Sequence, residues 1–278
     1  MAILIHADNE RFEEADRLLD QAKRVAEKVH NDRVYAVYYN LLSDYYDILL
    51  DGFYDTEDPE EELLLNKMLG AIEKTIRYSK RSLSYDGDHL YAKSILAKAT
   101  ILMRSGRGTE KKISNLIDTA KKIITENTMP YADVRLHYYL VCGWYFALIC
   151  DSVKLTEIFV KNARELSDII LLTDLQKIEK VILPCANIFL ELDCHDKSMD
   201  LLYEGICLCA RHTNTDSYAR IKRVLCNCLW KMGMEVQQFE LCRKTIDLIE
   251  AENEKIVDPK NRVTIPDEVR SIITDTMK

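Results

Sequence analysis

Glycine and proline are scarce in this sequence, 8 and 5 of 278 residues. Together they make about 5%, against roughly 12% in an average chain, which excludes collagen-like and turn-dense β architectures such as propellers. The alternation of apolar and polar residues that marks half-buried strands is also missing. Basic residues are in deficit: 38 Lys and Arg face 46 Asp and Glu, for a net charge of -8 and a pI near 5.4. Such a chain lacks the general basic face through which nucleic-acid binders release counterions, so no direct nucleic-acid binding is expected beyond a local patch. No apolar run reaches the roughly 20 residues needed to cross a bilayer; the longest, Tyr138 to Cys150, falls short. The first residues, Met1 to Asp8, carry no basic region and too short an apolar stretch for a secretory signal. A cytoplasmic location without membrane contact is therefore expected.

What is present describes an ordered soluble protein. Hydrophobic residues make up 47% and charged residues 30%, enough apolar side chains to offset chain entropy on folding. The nine cysteines would leave one thiol over in an exported chain; in a reducing compartment they serve as small apolar residues.

Apolar residues recur at i, i+3, i+4 and i+7 through nearly the whole chain, interrupted by helix stops and caps. Breaks are expected at Asn31-Asp32, 51–60, Asp86-Gly87-Asp88, Ser105 to Gly108, Met129-Pro130, Asp151, Thr173-Asp174, Asp193 to Asp196, Asn214-Thr215 and Met232-Gly233. The segments between them run about 18 to 24 residues, which predicts eleven helices, a partial one at 2–9 and a short one after Pro266. The fold class is all-α. Taken in pairs, the first helices begin near Arg33, Asp88, Tyr131, Asp174 and Ser217, at steps of about 55, 43, 43 and 43 residues. The longer first step holds an acidic insertion at 51–62. The whole of 1–278 is expected to form a single helical repeat domain of about five to six pairs, with a partial first pair at 2–30 and a capping segment at 254–278.

The residues inside the pairs suggest a family. The run Tyr38 to Tyr46 resembles the first helix of a tetratricopeptide repeat, in which an aromatic, a Leu, a small residue and a Tyr recur. Arg11 to Ala15, followed by Leu19 and Ala22, is similar to the second helix. Leu225, Cys226, Leu229, Gly233 and Met234 fall at the corresponding spacing near the C-terminus, and Ala186, Ser198 and Gly205 supply three small positions where paired helices come close. Leu42 replaces the usual Gly, the terminal Pro is absent, and the units exceed the family's usual length. The resemblance implies a right-handed α-α superhelix whose first helices line a concave groove; another α-α solenoid is the alternative.

No enzymatic motif emerges. Gly106-Arg107-Gly108 lacks phosphate-loop spacing, Lys111 and Lys112 read as solvated first-turn residues, and the six histidines are scattered without catalytic context. Cys207, Cys209, His212, Cys226, Cys228 and Cys242 gather near the C-terminus. However, i and i+2 point to opposite sides of a helix, and only Cys209 and His212 would share a face. Reduced, metal-free thiols at packed positions are expected, and no cofactor. The carboxylates of 55–62 read as a solvated loop leading into a helix N-terminus, with a docking site for a basic partner as the alternative.

The expected function is a non-enzymatic interaction scaffold that holds a peptide or a partner helix. The alternative is the sensor portion of a larger cytoplasmic signalling protein, such as a transcription regulator, kinase or cyclase, whose effector lies outside this chain. Steps of three to four residues place Tyr39, Ser43, Tyr46 and Asp47 on the groove side of the first full pair. The same registration in the last pair places Arg220, Arg223, Asn227, Trp230 and Lys231 there. The two arginines would fork onto a peptide carboxylate while Trp230 covers an apolar side chain; the alternative has the arginines solvated and Trp230 in the core. At the N-terminus, residues 2–9 are too few to partner the helix that follows. Either the chain is cut from a longer one or another element covers that face.

Overall fold

A computed structural model describes residues 11–50, 58–82, 85–126, 132–209 and 211–212, with single positions at 243, 246, 247, 250 and 254. Among the described residues the chain is helical, without strands. The helices are α1 (Phe12–Val29), α2 (Asp32–Leu49), α3 (Pro59–Arg81), α4 (Tyr85–Arg104), α5 (Glu110–Glu126), α6 (Ala132–Leu148) and α7 (Val153–Ile169). Next comes α8, one continuous helix made of an α turn (Asp174–Lys177), a π turn (Ile178–Ile182) and an α stretch (Leu183–Leu190), and then α9 (His195–Cys209). The chain divides into two compact units, Met1–Tyr145 and Phe146–Lys278. The further helices expected at 2–9 and beyond His212, and the capping segment 254–278, lie outside the described residues apart from those single positions.

In the first unit the boundaries follow local chemistry. His30 closes α1 in the left-handed conformation, and the Asn31 side chain accepts from the Arg33 N–H at 2.8 Å to open α2. Asp58 caps α3 through the Glu60 N–H at 2.8 Å, with Pro59 in the first turn and Glu60, Glu61 and Glu62 complementing the helix dipole. The acidic residues at 58–62 thus serve the helix start; 51–57 lie outside the described residues. The Ser105 to Gly108 turn forms as expected, with Gly106 at φ 65°, a conformation that costs a side-chain-bearing residue energy.

One break moves. The expected stop at Asp86-Gly87-Asp88 lies inside the first turn of α4, which begins at Tyr85. Gly87 is there for space, since a Cβ on it would stand 2.2 Å from the Ser82 carbonyl oxygen. With first helices starting at Asp32, Tyr85, Ala132 and Asp174, the first step is the long one, as expected, while the second exceeds the expected 43 or so residues because α4 starts early.

Neighbouring helices pack on one another, α1 on α2, α2 on α3, α3 on α4 and α4 on α5, and α2 also meets α4. Ala15, Leu19 and Tyr45 form one buried cluster between α1 and α2, with Ala22 and Tyr46 against it; the Tyr45 hydroxyl donates to Asp16 Oδ1 at 2.7 Å. Leu50, Leu65, Met68, Ile72 and Ile101 form a second. Each buried aliphatic side chain contributes about 1.5–3 kcal/mol relative to exposure.

Among the described residues of the second unit, α8 and α9 pack on one another. Thr173 and Gln176 form a reciprocal capping box at the α8 start. Proline at 184 has no N–H and crowds the carbonyl four residues before it, and the chain answers with the π turn. Within it, the Leu183 N–H reaches back five residues to Ile178 O. Ile178, Val181 and Ile182, carried on this wider turn, are all buried. Helix α9 lies close to α8 because Ala186, Ser198 and Gly205 are buried small residues, and the Ser198 hydroxyl donates to Ala186 O at 2.8 Å. His212 lies past the end of α9 instead of sharing a helix face with Cys209, and its ring meets Asp174 Oδ2 at 2.9 Å.

Candidate functional site

In the first unit, α2, α4 and α6 wall a cavity of about 220 Å³. Helix periodicity selects the lining. Asn40, Ser43, Asp44 and Asp47 come from α2, and Lys93, Ser94, Ala97, Thr100 and Ile101 from α4; both sets step by three or four residues along one face. The register repeats: Asn40 and Lys93 stand equally far from the starts of their helices, as do Asp44 and Ala97, and Asp47 and Thr100. His137 enters from α6, and Met68 and Ile72 of α3 supply an apolar wall.

The electrostatics are uneven. Asn40 Nδ2 donates to Asp44 Oδ2 at 3.0 Å, and among the described residues no cation lies within ion-pair distance of Asp44. Loss of water around the half-buried carboxylate raises its pKa to about 6; Lys93 and the Asn40 amide pull it back only in part, and Asp47 pushes it further up. The His137 ring keeps a little accessible surface yet is surrounded by protein on most sides. This desolvation, reinforced by the Lys93 charge, drives its pKa down to about 4, against a smaller opposing effect from Asp133. A neutral imidazole offers one donor and one acceptor to whatever enters. Asp133 itself is tied to His89 of α4, with Oδ2 to Nε2 at 2.9 Å, and that hydrogen bond holds its carboxyl down to about 2. The α2–α4 seam also bears a second hollow of about 280 Å³, between Arg33, Val37, His89 and Leu90.

The four α2 residues predicted to face the groove separate into two groups. Ser43 and Asp47 line the cavity. Tyr39 stacks on Tyr78 at 5.7 Å with the Lys74 ammonium over its ring, and Tyr46 packs against the two core clusters. Arg220, Arg223, Asn227, Trp230 and Lys231 lie outside the described residues, so the cavity does not bear on them. Sequence reasoning did not single out Asp44, Lys93 or His137. The register of α2, carried onto the middle pairs as well as the last, points to Lys93.

The second unit has a larger hollow, about 580 Å³, between α7 and α9. Most of its charges are paired: Arg164 with Glu204 at 2.6 Å, Lys177 with Asp168 at 2.8 Å and with Glu204 at 3.9 Å, and Lys197 with Glu157. Burial raises the Cys142 and Cys185 thiols to about 12, which keeps them protonated. Among the described residues no three His, Cys, Asp or Glu side chains gather as a metal site, and no helix is long and apolar enough to cross a membrane. No protein-family model matches the chain, and no curated protein matches it.

Proposed function

We propose that this chain is a non-enzymatic binding module of the tetratricopeptide-like type, which receives an extended peptide in the groove between its first helices. One observation carries the reading: three first helices, α2, α4 and α6, converge on a single cavity that sets several polar groups among apolar ones, and α2 and α4 do so in the same register. Recurrent side-chain positions on stacked pairs are what a repeat scaffold uses to read consecutive residues of an extended ligand. The cavity's 220 Å³ falls below the roughly 300–1,000 Å³ of pockets that enclose whole small molecules, and suits one side chain of a longer ligand. The groove's polar groups fix orientation, while Met68, Ile72 and Ile101 supply apolar contact.

The test is selection from a displayed random peptide library on the full chain, followed by amide hydrogen exchange with and without a recovered peptide. Slowed exchange in the cavity-lining segments of α2, α4 and α6 is the expected result. Recovery of no peptide, or protection confined to α7 and α9, would overturn the proposal.

A further inference from the structure

We infer that the cavity between α2, α4 and α6 is the anchor for a basic side chain, Lys or Arg, of the bound peptide, paired with Asp44 and flanked by Asp47. This rests on the groove reading above. The geometry carries it. Asp44 lines the cavity, with Asn40 on one carboxylate oxygen and no ion-pair partner among the described residues. Elsewhere in this unit Glu14, Glu62, Glu73 and Asp133 meet Arg17, Arg107, Lys98 and His89. A half-buried carboxylate without a cation is costly unless the occupant brings one. Asp47, one turn along the same face, adds a second carboxylate where a guanidinium or ammonium would lie. The neutral His137 ring and the Ser43, Ser94 and Thr100 hydroxyls can meet the remaining N–H groups or the peptide backbone.

The facing charged groups set the sign of the pH dependence. They are Asp44 and Asp47 on α2, Lys93 on α4 and His137 on α6; α3 contributes only the apolar Met68 and Ile72. His137, at about 4, stays neutral from pH 5 to 7. Asp44, at about 6, passes from mostly protonated to mostly ionised over that range. A cation that requires ionised Asp44 therefore binds about tenfold more tightly at pH 7 than at pH 5, with release of a proton. A peptide carboxylate drawn to Lys93 would show the opposite slope.

Peptides recovered from the displayed library are the probes, measured by calorimetry on the full chain. The expected result is a shared Lys or Arg position whose replacement by Gln weakens binding at least about tenfold. Asp44→Asn should weaken binding similarly and flatten the pH dependence, and Lys93→Gln, an exposed substitution, should strengthen binding about two- to threefold. Groove-binding peptides that carry an acidic or apolar anchor, affinity that falls from pH 5 to 7, or weaker binding by Lys93→Gln would overturn the inference and leave the groove reading standing. Recovery of no groove-binding peptide would overturn both.

Discussion

The two units each carry a charged hollow, and they treat charge in opposite ways. Between α7 and α9, acids and bases alternate across the gap, and Arg164, Lys177 and Lys197 each find a carboxylate from this chain. Between α2, α4 and α6, a carboxylate is drawn out of water with an amide on one oxygen, and Lys93 weakens the penalty without forming a pair among the described residues. The larger hollow is thus mostly satisfied internally, and an occupant would have to displace ion pairs along most of it. The smaller one holds a carboxylate whose desolvation is only partly offset, which on the proposed reading is where binding free energy is recovered. Volume alone would rank them the other way.

The comparison can be broken most forcefully at the buried side of α9. Leu202 of α9 is fully buried, and Leu202→Ala should cost about 2–5 kcal/mol in urea unfolding followed by circular dichroism. A cost under about 1 kcal/mol would mean that the ion pairs, not apolar packing, hold that unit. The next effect has the opposite sign. Asp44 has its folded pKa raised from 3.8 to about 6, so the folded state binds the proton more tightly and stability is lost as pH rises through that window. Asp44→Asn removes this loss, and after allowance for partial exposure it should stabilise the chain by about 1–2 kcal/mol at neutral pH and by almost nothing near pH 4. Destabilisation at neutral pH would show that the carboxylate is already compensated. Thr173→Ala, which removes the α8 cap, should cost about 1 kcal/mol. Smallest is Arg164→Ala: the pair with Glu204 is solvent-exposed, so the loss should stay under about 1 kcal/mol and fade in high salt. A larger, salt-independent loss would make the second hollow a structural ion-pair network.

The helices were legible because their signals are local. Asn31, Asp58-Pro59, Gly106 and Thr173 stop or start helices through their own backbone and side-chain chemistry, and the structure has them at those places. The small residues Ala186 and Ser198 were legible as a close helix approach for the same reason, since size alone excludes a wider spacing. Gly87 misled because a glycine that ends a helix and one that makes room for a neighbouring carbonyl are the same residue in the sequence. The π turn could be read only once Pro184 was seen inside a helix that continues through it.

The site divides along the same line. Periodicity put Ser43 and Asp47 on one face, and that face does line the cavity; it put Tyr39 and Tyr46 there too, yet Tyr78 and the α1–α2 core claim their rings. What the sequence determined by itself is the all-helical class, most helix limits and the acidic balance, all of which depend on residues a few positions apart or on composition. What only tertiary structure decided is which charges go unanswered. Asp44, Lys93 and His137 are far apart in the chain, and each would be an ordinary polar residue on an isolated helix. Desolvation and mutual distance, set by how α2, α4 and α6 converge, are what raise one pKa, lower another and leave Asp44 without an ion-pair partner among the described residues.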